Sequence, residues 1–65
     1  MPPKVRELIA ELEQAGYEYE SGKGSHRVYR HPATGDHVSV SGKSGADAHH
    51  YQVKQVKIAI EKVKR

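Results

Sequence analysis

Cysteine, tryptophan and phenylalanine are absent from this 65-residue chain. Without cysteine there are no disulfides, no thiolate zinc sites and no cysteine nucleophile. A secreted mini-protein of this size usually relies on disulfides, so their absence favours a cytoplasmic home. No apolar run exceeds three residues, which leaves no stretch for a membrane span or for the apolar core of a signal peptide. Hydrophobic residues make up 35%. A chain this short with so little to bury has a thin core, and residues 1–65 are expected to form one small domain. No carboxylate pair is placed for cleaving sugars, and no oriented acid accompanies a serine and histidine, so a nucleophilic triad is not in view.

Cations, by contrast, are plentiful and unevenly placed. Residues 1–20 hold two against five carboxylates, residues 21–50 four against two, and residues 51–65 five against one. The acidic first third and basic remainder sum to +3, which suits a polyanionic partner. Five histidines supply the side chain whose charge changes nearest neutral pH.

Val5, Leu8, Ile9 and Leu12 fall at i, i+3, i+4 and i+7, which predicts an amphipathic helix over Pro2–Ala15 stopped by Gly16. Tyr17–Glu20 alternates aromatic with acidic as a half-buried strand does, and Ser21–Gly24 reads as a turn-rich break. Ser25–His31 alternates again, with His26, Val28 and Arg30 on one side and Arg27, Tyr29 and His31 on the other. After the Pro32–Asp36 loop, His37–Val40 sets two valines on one face. Asp47 reads as the N-cap of a closing helix carrying Val53, Val56, Ile60 and Val63. Short connections make antiparallel hairpins the simplest topology. The result is an α+β two-layer sandwich in αβββα order. Its three-stranded antiparallel sheet has both helices on one face, the layout of double-stranded-RNA-binding domains. Half or more of the four tyrosines are expected in the core, since no other large aromatic is available.

Lys23-Gly24-Ser25-His26 carries the most chemistry. Gly24 allows close backbone approach, Ser25 offers a hydroxyl to a phosphate oxygen, and Lys23, Arg27 and Arg30 bring cations. His26 at the start of a strand has a fixed backbone and an imidazole suited to general acid–base work. RNA brings its own nucleophile, the 2′-hydroxyl, so one such histidine with cations on the phosphate is enough for metal-independent cleavage. Lys43, in the Ser41–Gly45 loop, is a further phosphate contact. Gly42-Lys43-Ser44 is not a nucleotide-binding P-loop, because the leading glycine is replaced by His37. His49-His50 are adjacent and diverge on a helix, and His31 and His37 lack a third ligand, so no metal site and no cofactor is expected.

Together these residues resemble the HicA toxin family, the RNA-cleaving half of bacterial or archaeal toxin–antitoxin pairs. The resemblance rests on Glu13-Gln14-Ala15-Gly16-Tyr17, Lys23-Gly24-Ser25-His26, Val28-Tyr29-Arg30-His31-Pro32, Val38-Ser39-Val40 and Tyr51-Gln52 before a lysine-rich helix. It spans roughly residues 4–63. It implies a double-stranded-RNA-binding-domain-like fold, cleavage of mRNA centred on His26, and neutralisation by a HicB-type antitoxin. Where many relatives carry a proline and a histidine after the third strand, this chain reads Ser41-Gly42-Lys43. Two other functions fit the same residues: a non-catalytic RNA-binding module, or a protein-interaction domain that docks a partner on its open sheet face.

Overall fold

The apolar stripe of the first segment folds as helix α1, Val5–Gln14, in a computed structural model that describes residues 2–64. The Glu7 carboxylate reaches back to accept the Lys4 backbone N–H at 2.6 Å, satisfying a donor that the helix start leaves unpaired. The helix begins three residues later than the periodicity suggests because its approach segment is used elsewhere. The Pro3 carbonyl accepts from Ala48 N–H at 2.8 Å, and Val5 N–H donates to the Ala46 carbonyl at 2.9 Å. At the other end Gly16, with φ +103°, turns the chain. Tyr17 N–H closes on the Leu12 carbonyl at 3.0 Å and Gly16 N–H on that of Glu13 at 3.1 Å, the paired bonds of a Schellman stop.

Three strands follow, β1 (Glu18–Lys23), β2 (His26–Arg30) and β3 (His37–Val40), antiparallel in the order β1-β2-β3. β1 runs three residues into the expected break. A bulge at Glu20 re-phases it, so that Ser21 pairs with Val28, Gly22 with Arg27 and Lys23 with His26. Only Gly24 and Ser25 remain as turn. β2 is shorter than expected by one residue at each end. Ser25 belongs to the turn, and His31 N–H leaves the ladder to close the next loop on the Asp36 carbonyl at 2.9 Å.

Helix α2, His50–Val63, completes the chain. Asp47 is not its cap. The Asp47 carboxylate sits 2.6 Å from the Lys4 ammonium, and its backbone bridges Lys4, so His49 takes the cap position without a side-chain bond. Tyr29 pairs with Val38 and Arg27 with Val40 across β2 and β3, placing those side chains on one face. Val5, Leu8, Leu12, Val56 and Ala59 bury that face from both helices. Tyr17 and Tyr29 are the two tyrosines in the core, and the Tyr17 hydroxyl donates to the Ala59 carbonyl at 3.0 Å. His26, Val28, Arg30, His37 and Ser39 line the uncovered face. This is the expected α+β layering. Among the described residues no helix is long and apolar enough to cross a membrane.

Candidate functional site

One end of the molecule gathers most of the singled-out residues, and the topology explains why. β1 ends and β2 begins at the Gly24-Ser25 turn, and β3 ends beside them, since Val40 pairs with Arg27. Both helices start at that same end. α1 is tied there through Val5 and Arg6 to Ala46 and Ser44. α2 is tied there through Gln52, whose amide donates to the Ser41 carbonyl at 3.2 Å and hydroxyl at 2.6 Å. Two helix N-termini, each the positive end of its dipole, therefore lie at the same end of the molecule as the β1–β2 turn.

Lys23 and His26 are the pair that closes this hairpin, and parity sets both side chains on the open face. Both residues are exposed, and among the described residues the His26 ring makes no hydrogen bond. Gly24 has φ +63°, and nothing lies within 4 Å of where a side chain would begin. Its role inside the protein is thus the left-handed turn. The close approach belongs to Gly22, where a side chain would meet the His26 carbonyl at 2.6 Å. Ser25 is exposed at the turn tip. Arg27 points to the helix side of the sheet and reaches the Gly42 carbonyl at 3.5 Å, linking the hairpin to the loop that exposes Lys43.

Arg30 does not join them. It lies four residues along β2, about 13 Å at roughly 3.3 Å per residue. There its guanidinium is 3.8 Å from the Glu20 carboxylate, which also lies 3.3 Å from His37 Nε2. In its place the structure adds Arg6, which sequence reasoning passed over. Arg6 is exposed in the first turn of α1, with Nη1 3.8 Å from the position a Gly45 Cβ would take. A cation there opposes the helix dipole. That mismatch was visible in the sequence.

The remaining histidines are accounted for differently. His31 Nδ1 accepts the Ala33 N–H at 3.2 Å, so its Nε2 carries the proton and donates to the Ala15 carbonyl at 3.1 Å. Its ring packs edge-to-face with Tyr17, centroids 5.2 Å apart, and its part is structural. Among the described residues no three histidines or carboxylates are grouped to hold a metal ion. Burial, and then the Asp36 charge, push the Tyr17 hydroxyl above its ordinary range. Burial, and then Glu13, do the same for Tyr29, leaving both as neutral packing groups. Neither exposed tyrosine lies on the open sheet face. Tyr19 pairs with Tyr29 at the rim of the covered side, and Tyr51 stands in the first turn of α2. A groove between β3 and α2, lined by His37, Ser39 and Ile58 among others, is at the far end from His26.

The arrangement at the basic end can hold a polyanion and present an imidazole to it. A family model described as HicA toxin of bacterial toxin-antitoxin matches residues 5–63. No curated protein matches the chain.

Proposed function

The chain belongs to the HicA toxin family, the toxin half of a toxin–antitoxin pair, and from that premise we propose that it is a metal-independent endoribonuclease acting on mRNA through His26. The carrying observation is the Lys23–His26 closing pair. It sets an unbonded imidazole beside an ammonium group on the open sheet face, at the end where both helix dipoles are positive.

Strand cleavage then needs little else. A phosphate lodges against Lys23 and the Ser25 hydroxyl, with Arg6, Arg27 and Lys43 drawing the backbone on either side. Neutral His26 takes the proton from the 2′-hydroxyl as the 2′-oxygen bonds to phosphorus. The bond from phosphorus to the 5′-oxygen breaks, and that oxygen collects a proton from the imidazolium. The products are a 2′,3′-cyclic phosphate and a free 5′-hydroxyl. Lys23 balances the charge that builds on the non-bridging oxygens. Arg30 is paired with Glu20 and acts, if RNA reaches it, as a distant phosphate contact.

The antitoxin partner of this family is proposed to cover the His26 face. A standard interface takes about 800 Å² from each side, a large share of so small a domain, and an acidic contact surface would compete with RNA. The test is cleavage of a single-stranded RNA by purified His26→Ala protein beside the parent. A single acid–base group contributes about two to four orders of magnitude, so a loss of that size with an unchanged melting temperature is expected. Parental cleavage by His26→Ala refutes the role of His26. RNA binding without cleavage by the parent identifies an RNA-binding module instead.

A further inference from the structure

At the start of α2, the rings of His49 and Tyr51 stack nearly parallel, 16° apart with centroids at 5.7 Å. Tyr51 remains 55% exposed, while Tyr17 and Tyr29 are spent on the core. We infer that this stacked pair is a platform for an unpaired nucleobase of the RNA strand held at the basic end, an inference that rests on the RNA-cleaving reading above.

Four observations carry it. The first is position: α2 starts at the same end as His26, since Gln52 bonds to Ser41 just after β3 and Arg27 bonds to Gly42. The second is rigidity. Tyr51 is in the first helical turn, and its hydroxyl lies 3.5 Å from the amide of buried Gln52, which Ser41 holds in turn. A platform held at both ring and hydroxyl has little motion left to lose on binding. The third is electrostatic. Lys54 follows one turn along, Lys43 lies in the adjoining loop, and the nearest carboxylate in sequence, Asp47, is paired with Lys4 at 2.6 Å. The surroundings suit a phosphate-bearing ligand and not a cationic one, which removes an ammonium cage from consideration. The fourth is chemical. Proteins read single-stranded RNA by splaying bases onto tyrosine and histidine faces, while bases inside a duplex offer no free face. The platform therefore selects a single-stranded stretch of the RNA held at that end.

The experiment uses the cleavage-dead His26→Ala chain, so that RNA survives. Tyr51→Trp in that background introduces the protein's only indole, because the chain has no tryptophan. The expected result is saturable quenching of indole emission by a single-stranded RNA oligonucleotide. An abasic strand of the same length and inorganic polyphosphate should leave the emission unchanged. Binding is measured separately by anisotropy of a labelled oligonucleotide. Tyr51→Ala should weaken it about 5- to 150-fold, the range for one stacked base, and Tyr51→Phe should stay within about 2-fold. RNA binding with unaltered indole emission overturns the platform and leaves the proposed nuclease standing. Absence of any RNA binding overturns both. Quenching by the antitoxin but not by RNA makes the pair a protein contact and likewise overturns the inference. Should Tyr51→Ala fail to fold, the Tyr51→Trp titration decides alone.

Discussion

Replacing Gly16 with alanine tests how the fold is built. At φ +103°, an alanine backbone is strained by about 1–3 kcal/mol. The new Cβ would also lie 2.7 Å from His31 Nε2 and 3.3 Å from its Cδ2. That ring cannot simply swing away, because Ala15 and Ala33 hold both its nitrogens. Displacing it forfeits at least the bond to Ala15, about 1 kcal/mol. The combined loss is about 2–4 kcal/mol, in a domain whose whole stability lies toward the low end of about 5–15 kcal/mol. At about 4–8 °C per kcal/mol for a domain of this size, thermal melts followed by circular dichroism should fall by at least about 8 °C. Gly24→Ala is the control. It has φ +63° and open space around it, so only the backbone cost of about 1 kcal/mol applies. In a His31→Ala background the Gly16→Ala penalty should shrink toward the backbone term alone, because the clash has gone. Equal melting shifts for Gly16→Ala and Gly24→Ala, or a Gly16→Ala penalty indifferent to His31, would refute the reasoning.

Cleavage should continue in excess EDTA; loss of activity on chelation, restored by one divalent ion, would overturn the metal-independent mechanism. Lys23→Ala should weaken RNA binding and lower the salt slope by about one unit, whereas Arg30→Ala, engaged with Glu20, should change the slope by much less, both read from Kd against salt. Stability should fall above about pH 10. The folded Tyr17 and Tyr29 hydroxyls titrate higher than in the unfolded chain, so their contribution is complete below pH 10 and disappears as pH rises through the raised values. Tyr17→Phe should flatten that alkaline fall in a pH series of melts while costing about 1 kcal/mol at neutral pH for the lost bond to Ala59. Saturating antitoxin should abolish RNA binding by the His26→Ala chain, and unchanged affinity in the complex would exclude occlusion.

Much of the fold was legible because its signals are local. The i, i+3, i+4 stripe from Val5 to Leu12, the stop at Gly16 and the paired valines of β3 each declare themselves within a few residues. What escaped depends on partners distant in sequence. Ser21 and Gly22 look like a break until Val28 and Arg27 pair with them across the bulge. Asp47 looks like a cap until Lys4, 43 residues away, claims its carboxylate. The alternation of β2 separates His26, Val28 and Arg30 from Tyr29, but only the Tyr29–Val38 pairing says which set the helices cover. For the same reason Arg30 seemed a neighbour of His26 in sequence while lying at the other end of the sheet. Gln52 falls on the buried stripe of α2, four residues before Val56, but its polar side chain hides it until Ser41 accepts its amide, and the His49–Tyr51 stack has no periodic signature.

The bonds from Lys4 to Asp47 and from Tyr17 to Ala59 span 43 and 42 residues, most of the chain. Such contacts delay folding, because nearly the whole polypeptide must be available before they can form. On a translating ribosome, where residues emerge at about 5–20 per second, the later partners are still inside the exit tunnel when the hairpin is already out. The nascent chain thus carries His26 and Lys23 on an isolated β-hairpin, marginal by itself, with neither helix start anchored beside them. The basic end comes together only once the Ser41–Gln52 stretch has emerged to anchor both helix starts.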